Sequence, residues 1–254
     1  MKYIEYSCDG KIASITINRP DRLNALNRES LSELSQCWEK FKEDPSAWCA
    51  LLSSKGDHAF SVGMDVKEDL SEKEREGLFD LTLEVSPRYH AINKPTLCAI
   101  KGYCLGLGWW LAMECDLRIA SHDAKFGIPE TRLNIPPIFG GLLTQHLPPA
   151  IALEVLLSGE PLESRRAYEM GFVNRLAGTP EVEKEAMKLA QRICQNAPVS
   201  VRRTKELYYQ SLEMNRNGSV FLAKFIHKEL ERMDDTKEAQ QAFREKRQPN
   251  WTGR

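Results

Sequence analysis

Short apolar runs recur in pairs through residues 50–127, and the pairs alternate with segments of helical spacing; this recurrence most narrows the fold. Residues 50–52 and 59–62 read as buried strands, residues 68–91 as a helix that is charged first and amphipathic later, and residues 96–100 as a strand again. Residues 106–113 then open a helix, and residues 116–120 and 125–127 return to strand. A strand, strand, helix order of this kind predicts stacked units on one spiral core rather than an open doubly wound sheet. Ahead of it, Tyr3, Ile4 and Tyr6 run into Asp9-Gly10, a hairpin turn signal, and Ile12, Ile15 and Ile17 continue beyond it. Leu31, Leu34, Trp38 and Phe41 give residues 27–41 helical spacing. From Pro148 onward the pattern predicts helix almost throughout, over residues 181–196, 199–214, 220–233 and 235–246.

Composition bounds what such a fold does. The chain has 254 residues, 42% of them apolar, enough for a real core. Its 35 basic residues against 36 acidic ones give no electrostatic reason to expect nucleic acid or an anionic membrane as the main partner. Residues 1–6 lack a basic start followed by an apolar core, the richest apolar segment (residues 105–113) is short of a membrane span, and the last residues carry no lipidation signal. A cytoplasmic protein is expected. Seven scattered cysteines without a Cys-x-x-Cys pair predict reduced, packed thiols, and five histidines without ligand spacing predict no metal.

Two glycine-containing turns each follow an expected strand: residues 59–65, Ala-Phe-Ser-Val-Gly-Met-Asp, and residues 102–110, Gly-Tyr-Cys-Leu-Gly-Leu-Gly-Trp-Trp. Glycine lets the backbone turn with its amides exposed, and a helix start adds free N–H groups and a positive dipole end. Facing one another, two such turns cradle an oxyanion; singly, each is more often plain geometry. Neither continues as a phosphate loop.

With these turns, a series running nearly the full chain resembles the crotonase superfamily, the enoyl-CoA hydratase and isomerase family. It comprises Asn18-Arg19-Pro20-Asp21-Arg22-Leu23-Asn24-Ala25-Leu26, both turns, Phe126-Gly127-Ile128-Pro129-Glu130, Gly140-Gly141, Leu157-Ser158-Gly159, Ala167 with Gly171-Phe172-Val173, and residues 242–247. The resemblance implies an α/β, crotonase-like (ClpP/crotonase) spiral of repeated ββα units over residues 1–192. It also implies a C-terminal helical oligomerisation region over residues 193–254, in a trimer or dimer of trimers. The substrate it implies is an acyl-CoA thioester, with coenzyme A as part of that substrate and no separate cofactor. Backbone amides of Met64 and Leu107 fall at the oxyanion positions, where the family usually has glycine in place of Leu107. Arg22, Leu23, Ala25 and Val62 fall on the coenzyme side, and Asp65 and Val66 at the acyl entrance. Phe243 and Lys246 match positions that reach a neighbouring subunit's coenzyme. Glu130 corresponds to one of two hydratase glutamates, and a carboxylate beside an apolar pocket has a raised pKa suited to proton transfer. Residues 135–138, Ile-Pro-Pro-Ile, are expected to supply the apolar surround, with Pro137 and Ile138 lining the acyl site.

One position departs from the family. The other hydratase glutamate falls on Trp110, and Glu114, four residues on, shares its helix face. Ile138 stands where some dienoyl isomerases and hydroxyacyl-CoA hydrolases carry aspartate, which disfavours those activities. One carboxylate suffices to move a proton between carbons, so double-bond isomerisation is slightly preferred over hydration. A hydratase-lyase or decarboxylase acting on an aromatic or cyclic acyl-CoA, and a non-catalytic acyl-CoA-binding paralogue, are the alternatives. The acyl preference depends on how residues 68–84 fold over the pocket.

Overall fold

The structure, a computed structural model, describes residues 1–68, 71, 78–135 and 137–253. The chain forms two compact units, residues 1–92 with 96–190, and residues 93–95 with 191–254.

Among the described residues the first unit holds ten strands. The opening hairpin pairs β1 (Ile4–Asp9) with β2 (Ile12–Ile17), Asp9 opposite Ile12, so its turn residues are Gly10 and Lys11. After α1 (Arg28–Glu43) the strands arrive two at a time: β3 (Cys49–Ser54) and β4 (Ala59–Ser61), β5 (Thr96–Ile100) and β6 (Tyr103–Leu105), β7 (Leu117–Ser121) and β8 (Lys125–Gly127). The first member of each pair joins a six-stranded sheet, β1-β2-β3-β5-β7-β10, and the second joins a four-stranded sheet, β4-β6-β8-β9. Each strand, strand, helix unit therefore climbs one step along both sheets. That is the spiral that the paired apolar runs imply. β3 and β5 are buried at every position, as parallel strands covered on both faces must be, and they read as continuous apolar runs for that reason.

Helix α2 spans Leu78–Glu84. The expected helix over residues 68–91 is longer than this. Its residues 69, 70 and 72–77 lie outside the described residues, and at its other end the chain leaves the helix before Pro87. Proline disfavours the helical conformation in the residue before it, and the Ser86 hydroxyl accepts from the Arg88 amide at 3.0 Å in the turn that follows. Helix α3 (Leu107–Glu114) is buried at all eight positions. Arg118 satisfies its C-terminal end by donating to the carbonyls of Ala112 at 3.0 Å and Cys115 at 2.7 Å, and its Nε reaches Phe172 O at 2.6 Å. Trp109 of α3, Phe126 of β8 and Phe172 form an edge-packed trio with ring centroids 5.3–5.8 Å apart. These contacts lock α3 to the strand that leads to Glu130.

The region after Pro148 is not wholly helical. Between α4 (Pro149–Ser158), α5 (Ser164–Glu169) and α6 (Val182–Ile193) lie β9 (Leu162–Glu163) and β10 (Arg175–Ala177), which add the last strand to each sheet. Strands of two and three residues are too short to show a period of two, so periodicity misses them. In the second unit α7 (Pro198–Ser211), α8 (Arg216–Leu230) and α9 (Asp234–Glu245) follow. Arg203 ties α7 to α8 through Nη2, which donates to both carboxylate oxygens of Glu229 at 2.6 and 2.7 Å. Asp235 anchors the chain end by accepting from the amides of Thr252 and Gly253 at 2.8 and 2.9 Å. Phe221 and Phe225 of α8 are 75% and 62% exposed. No disulfide forms among the described residues. Five of the seven thiols are buried, as expected, while Cys8 is exposed and Cys194 half-buried.

Candidate active site

The site is built where β4 and β6 end. Beyond β4, residues 61–65 are zipped to the loop over residues 19–26. Leu23 O accepts from Val62 N at 3.3 Å, Leu26 N donates to Gly63 O at 2.7 Å, and Leu26 O accepts from Asp65 N at 2.9 Å. Met64 is the bridge residue between those last two bonds. Its own N–H finds no protein acceptor among the described residues.

The loop holds its shape through Asn24, which is buried in the left-handed conformation at φ 55°. Its side chain donates to Lys55 O at 2.9 Å and Ala59 O at 2.7 Å and accepts from Arg19 N at 2.9 Å. Arg19 crosses to Asp65 Oδ2 at 3.0 Å, with both side chains almost wholly buried. Asp65 is thereby committed to an ion pair that clamps loop to turn. Of the other coenzyme-side candidates, Arg22 and Leu23 are exposed, Val62 is half-buried and Ala25 is buried; Val66 is 79% exposed.

The second turn comes against the first. A methyl group at Gly63 would lie 3.0 Å from Leu105 O and 3.2 Å from Leu107 N, so only glycine permits this approach. Leu107 is the first residue of α3, where an amide has no intrahelical acceptor, and none is found elsewhere among the described residues. Two free amides, one at a helix N-terminus, are thus drawn to the same place. This is the donor pair an oxyanion needs.

Glu130 completes the site. Leu105 pairs with Gly127 across β6 and β8, Gly106 N donates to Gly127 O at 2.8 Å, and three residues later the 3-10 turn Pro129–Leu133 carries Glu130 back onto Gly106. A methyl group at Gly106 would lie 2.6 Å from Glu130 Oε1. The other oxygen, Oε2, is buried without a partner among the described residues, and burial raises the carboxyl above its ordinary pKa. Ile135 and Ile138, expected to surround Glu130, are 46% and 60% exposed, and Pro136 lies outside the described residues. The tight environment comes instead from Gly106 and the backbone of the second turn. Pro137 is half-buried, beside Gly140.

Gly106 has φ 53° and ψ −123°, a conformation that disfavours any side chain. Gly106→Ala should cost roughly 1–3 kcal/mol in backbone strain. It should also push the Glu130 carboxylate aside, with a loss of turnover on the order of 100-fold for a displacement near 1 Å. Steady-state kinetics beside thermal unfolding separate the two effects.

Trp110 is buried, 3% exposed, and its ring stacks on Phe139 with centroids 4.2 Å apart at 16°. Its indole N–H has no acceptor among the described residues. Trp110, Phe139, Ser86, Tyr89 and Glu114 line a common pocket of about 200 Å³ with Leu83 and Leu142. Ser86, Tyr89 and Phe139 were not foreseeable as site residues, because no motif or period marks them. Phe243 and Lys246, in the second unit, are both exposed; Phe243 is 85% exposed, and Lys246 ends α9 in the left-handed conformation at φ 53°.

Residues 8–254 match the family model described as enoyl-CoA hydratase/isomerase. This chain belongs to the enoyl-CoA hydratase/isomerase family. It is 32% identical over 243 residues to the short-chain-enoyl-CoA hydratase of Clostridium acetobutylicum, covering 94% of this chain and 93% of that one. The carnitinyl-CoA dehydratase of Proteus mirabilis is also 32% identical, over 257 residues covering 96% of each. Among solved structures, an enoyl-CoA hydratase/isomerase from Mycobacterium paratuberculosis superposes with a TM-score of 0.92 at 31% identity, over 99% of both chains. The protein is accordingly an acyl-CoA enzyme of the enoyl-CoA hydratase/isomerase family with the crotonase fold. Among the described residues no helix is long and apolar enough to cross a membrane.

Proposed function

We propose that the protein isomerises the double bond of an enoyl-CoA thioester, with Glu130 as the single acid/base. The thioester oxygen sits between the amides of Met64 and Leu107. Glu130 takes a proton from the α-carbon of a 3-enoyl group, the electron pair moves into the carbonyl to give a dienolate, and the same carboxyl returns the proton at the γ-carbon. Atoms balance with no water consumed and no cofactor beyond the coenzyme A carried by the substrate. The observation that carries this reading is the contrast between two places on one helix end. A carboxylate with an unpaired buried oxygen lies against Gly106, while the other carboxylate position of the family is filled by Trp110. Arg22, Leu23, Ala25 and Val62 hold the coenzyme in this reading, and Phe243 and Lys246 reach a neighbouring subunit's coenzyme, where Lys246 pairs with a phosphate. Exposed Phe221 and Phe225 support a trimer or dimer of trimers. Light scattering on a stable, active monomer at micromolar concentration would contradict the assembly.

The names of the similar proteins favour a second reading, hydration or dehydration with Glu130 alone handling water. Supplying 3-hexenoyl-CoA and crotonyl-CoA in parallel distinguishes them. Isomerisation of the first at least about tenfold faster than hydration of the second supports the proposal. The reverse ratio favours hydration.

A further inference from the structure

Leu107, Trp110 and Glu114 fall at i, i+3 and i+7 on α3 and so share one helix face. Glu114 lies seven residues, about 10 Å, along the helix from the Leu107 amide, and Trp110 between them lines the pocket that Glu114 shares. That distance is the reach of a medium-length acyl chain, or of a ring carried a few bonds from the thioester. The pocket's volume, about 200 Å³, is ample for a six-membered ring, since an apolar cavity of about 150 Å³ already binds benzene.

Its polar groups are unevenly satisfied. The Glu114 side chain is only 9% exposed. Its Oε2 accepts from the Ser86 hydroxyl and lies 4.0 Å from Arg88 Nε. No protein donor reaches its Oε1 among the described residues. Ser86 has spent its only proton on Glu114, and its oxygen accepts from the amides of Arg88 at 3.0 Å and Tyr89 at 3.4 Å. A ligand in this pocket therefore meets an acceptor, Glu114, in otherwise apolar walls. The indole N–H of Trp110 is wholly buried, out of a ligand's reach, and the Tyr89 hydroxyl stands on the same lining. A ligand hydroxyl answers Glu114 by donating to it, whereas an ammonium would also meet the Arg88 guanidinium, whose Nε lies 4.0 Å from the same carboxylate.

We infer that Glu114 is a specificity-determining residue that selects acyl-CoA substrates carrying a hydroxyl at the distal end of the acyl group. The inference rests on the acyl-CoA reading of the site, and it does not depend on which reaction Glu130 performs. Leaving Glu114 half-satisfied in an apolar pocket is a cost that an unsubstituted chain does not relieve and a hydroxylated one does.

The test is calorimetric binding of saturated thioesters in matched pairs: octanoyl-CoA with its terminally hydroxylated form, and phenylpropanoyl-CoA with its para-hydroxylated form. The wild type should bind the hydroxylated member of at least one pair about tenfold more tightly, the ratio a hydrogen bond to a charged acceptor supports. Which pair responds tells whether chain or ring is the natural occupant. Glu114→Gln, which keeps the shape, should reduce that ratio to about threefold or less and leave the unsubstituted member within about twofold. A purely structural role for Glu114 would move both members alike. Equal affinities in both wild-type pairs, or a ratio that survives in Glu114→Gln, overturns the inference. The wild-type ratio needs no variant, so a poorly folded Glu114→Gln does not remove the test. Enolisation of the unsubstituted thioesters, followed separately, reports on the proposed chemistry. Its absence with the binding ratio intact sinks the reaction and leaves the pocket, and the converse sinks the pocket alone.

Discussion

Glu130→Gln should lower turnover by roughly two to four orders of magnitude while leaving coenzyme A affinity within a few-fold. Gln matches the size of Glu and keeps the packing against Gly106, so only the ability to take and return a proton is lost. The pH dependence has a definite sign. Burial raises the Glu130 carboxyl, and catalysis needs it ionised at the start, so kcat/KM should rise with pH through a value above the ordinary carboxyl range of about 4.3. Stability runs the other way. A carboxyl whose folded pKa is raised favours the fold most while protonated, below its unfolded value, and that contribution fades as pH rises through the folded value. At neutral pH the buried charge is a cost, and Glu130→Gln should unfold at the same temperature as wild type or a higher one. Unchanged turnover in the variant would remove Glu130 from the mechanism. A large drop in melting temperature would mean that its role is structural.

The second large effect concerns Trp110. An indole has one donor and no acceptor, so it takes no proton from water at accessible pH, and here it also fills its place with a ring stacked on Phe139. Hydration of crotonyl-CoA by the wild type should be slow or absent. Trp110→Glu should raise it on the order of 100-fold, the contribution of one positioned acid/base, once the vacated space admits a water. The same change should destabilise the fold by about 3–5 kcal/mol, since it removes a buried aromatic and places a carboxylate there. Crotonyl-CoA hydration by the wild type at about 10 per second or more, an ordinary enzyme rate, would show that one glutamate suffices and that isomerisation is the wrong preference.

The spiral was legible because its central strands are covered on both faces. Cys49–Ser54 and Thr96–Ile100 are buried throughout and stand out as apolar runs. The two glycine turns were legible for a related reason, since Gly63 and Gly106 occupy backbone conformations that other residues avoid. What eluded the sequence was contact between distant segments. Arg19 and Asp65 are 46 residues apart, and nothing local announces their pairing. Ser86 and Glu114 are 28 residues apart and meet where α2 ends before Pro87, the boundary that a helix drawn through residue 91 passes over. Ile135 and Ile138, neighbours of Glu130 in sequence, are exposed, and the close approach to its carboxyl comes from Gly106.

The central claim is that two free amides and one buried carboxylate enolise a thioester. Mass spectrometry of acyl-CoA thioesters incubated with the protein in deuterated water tests it most directly, because it reports removal of the α-proton even where no net product forms. The account predicts deuterium at the α-carbon with the wild type and a loss of roughly 100-fold or more in that rate with Glu130→Gln. Exchange that proceeds equally well in Glu130→Gln, or no exchange by a wild type that binds the thioesters, would contradict it.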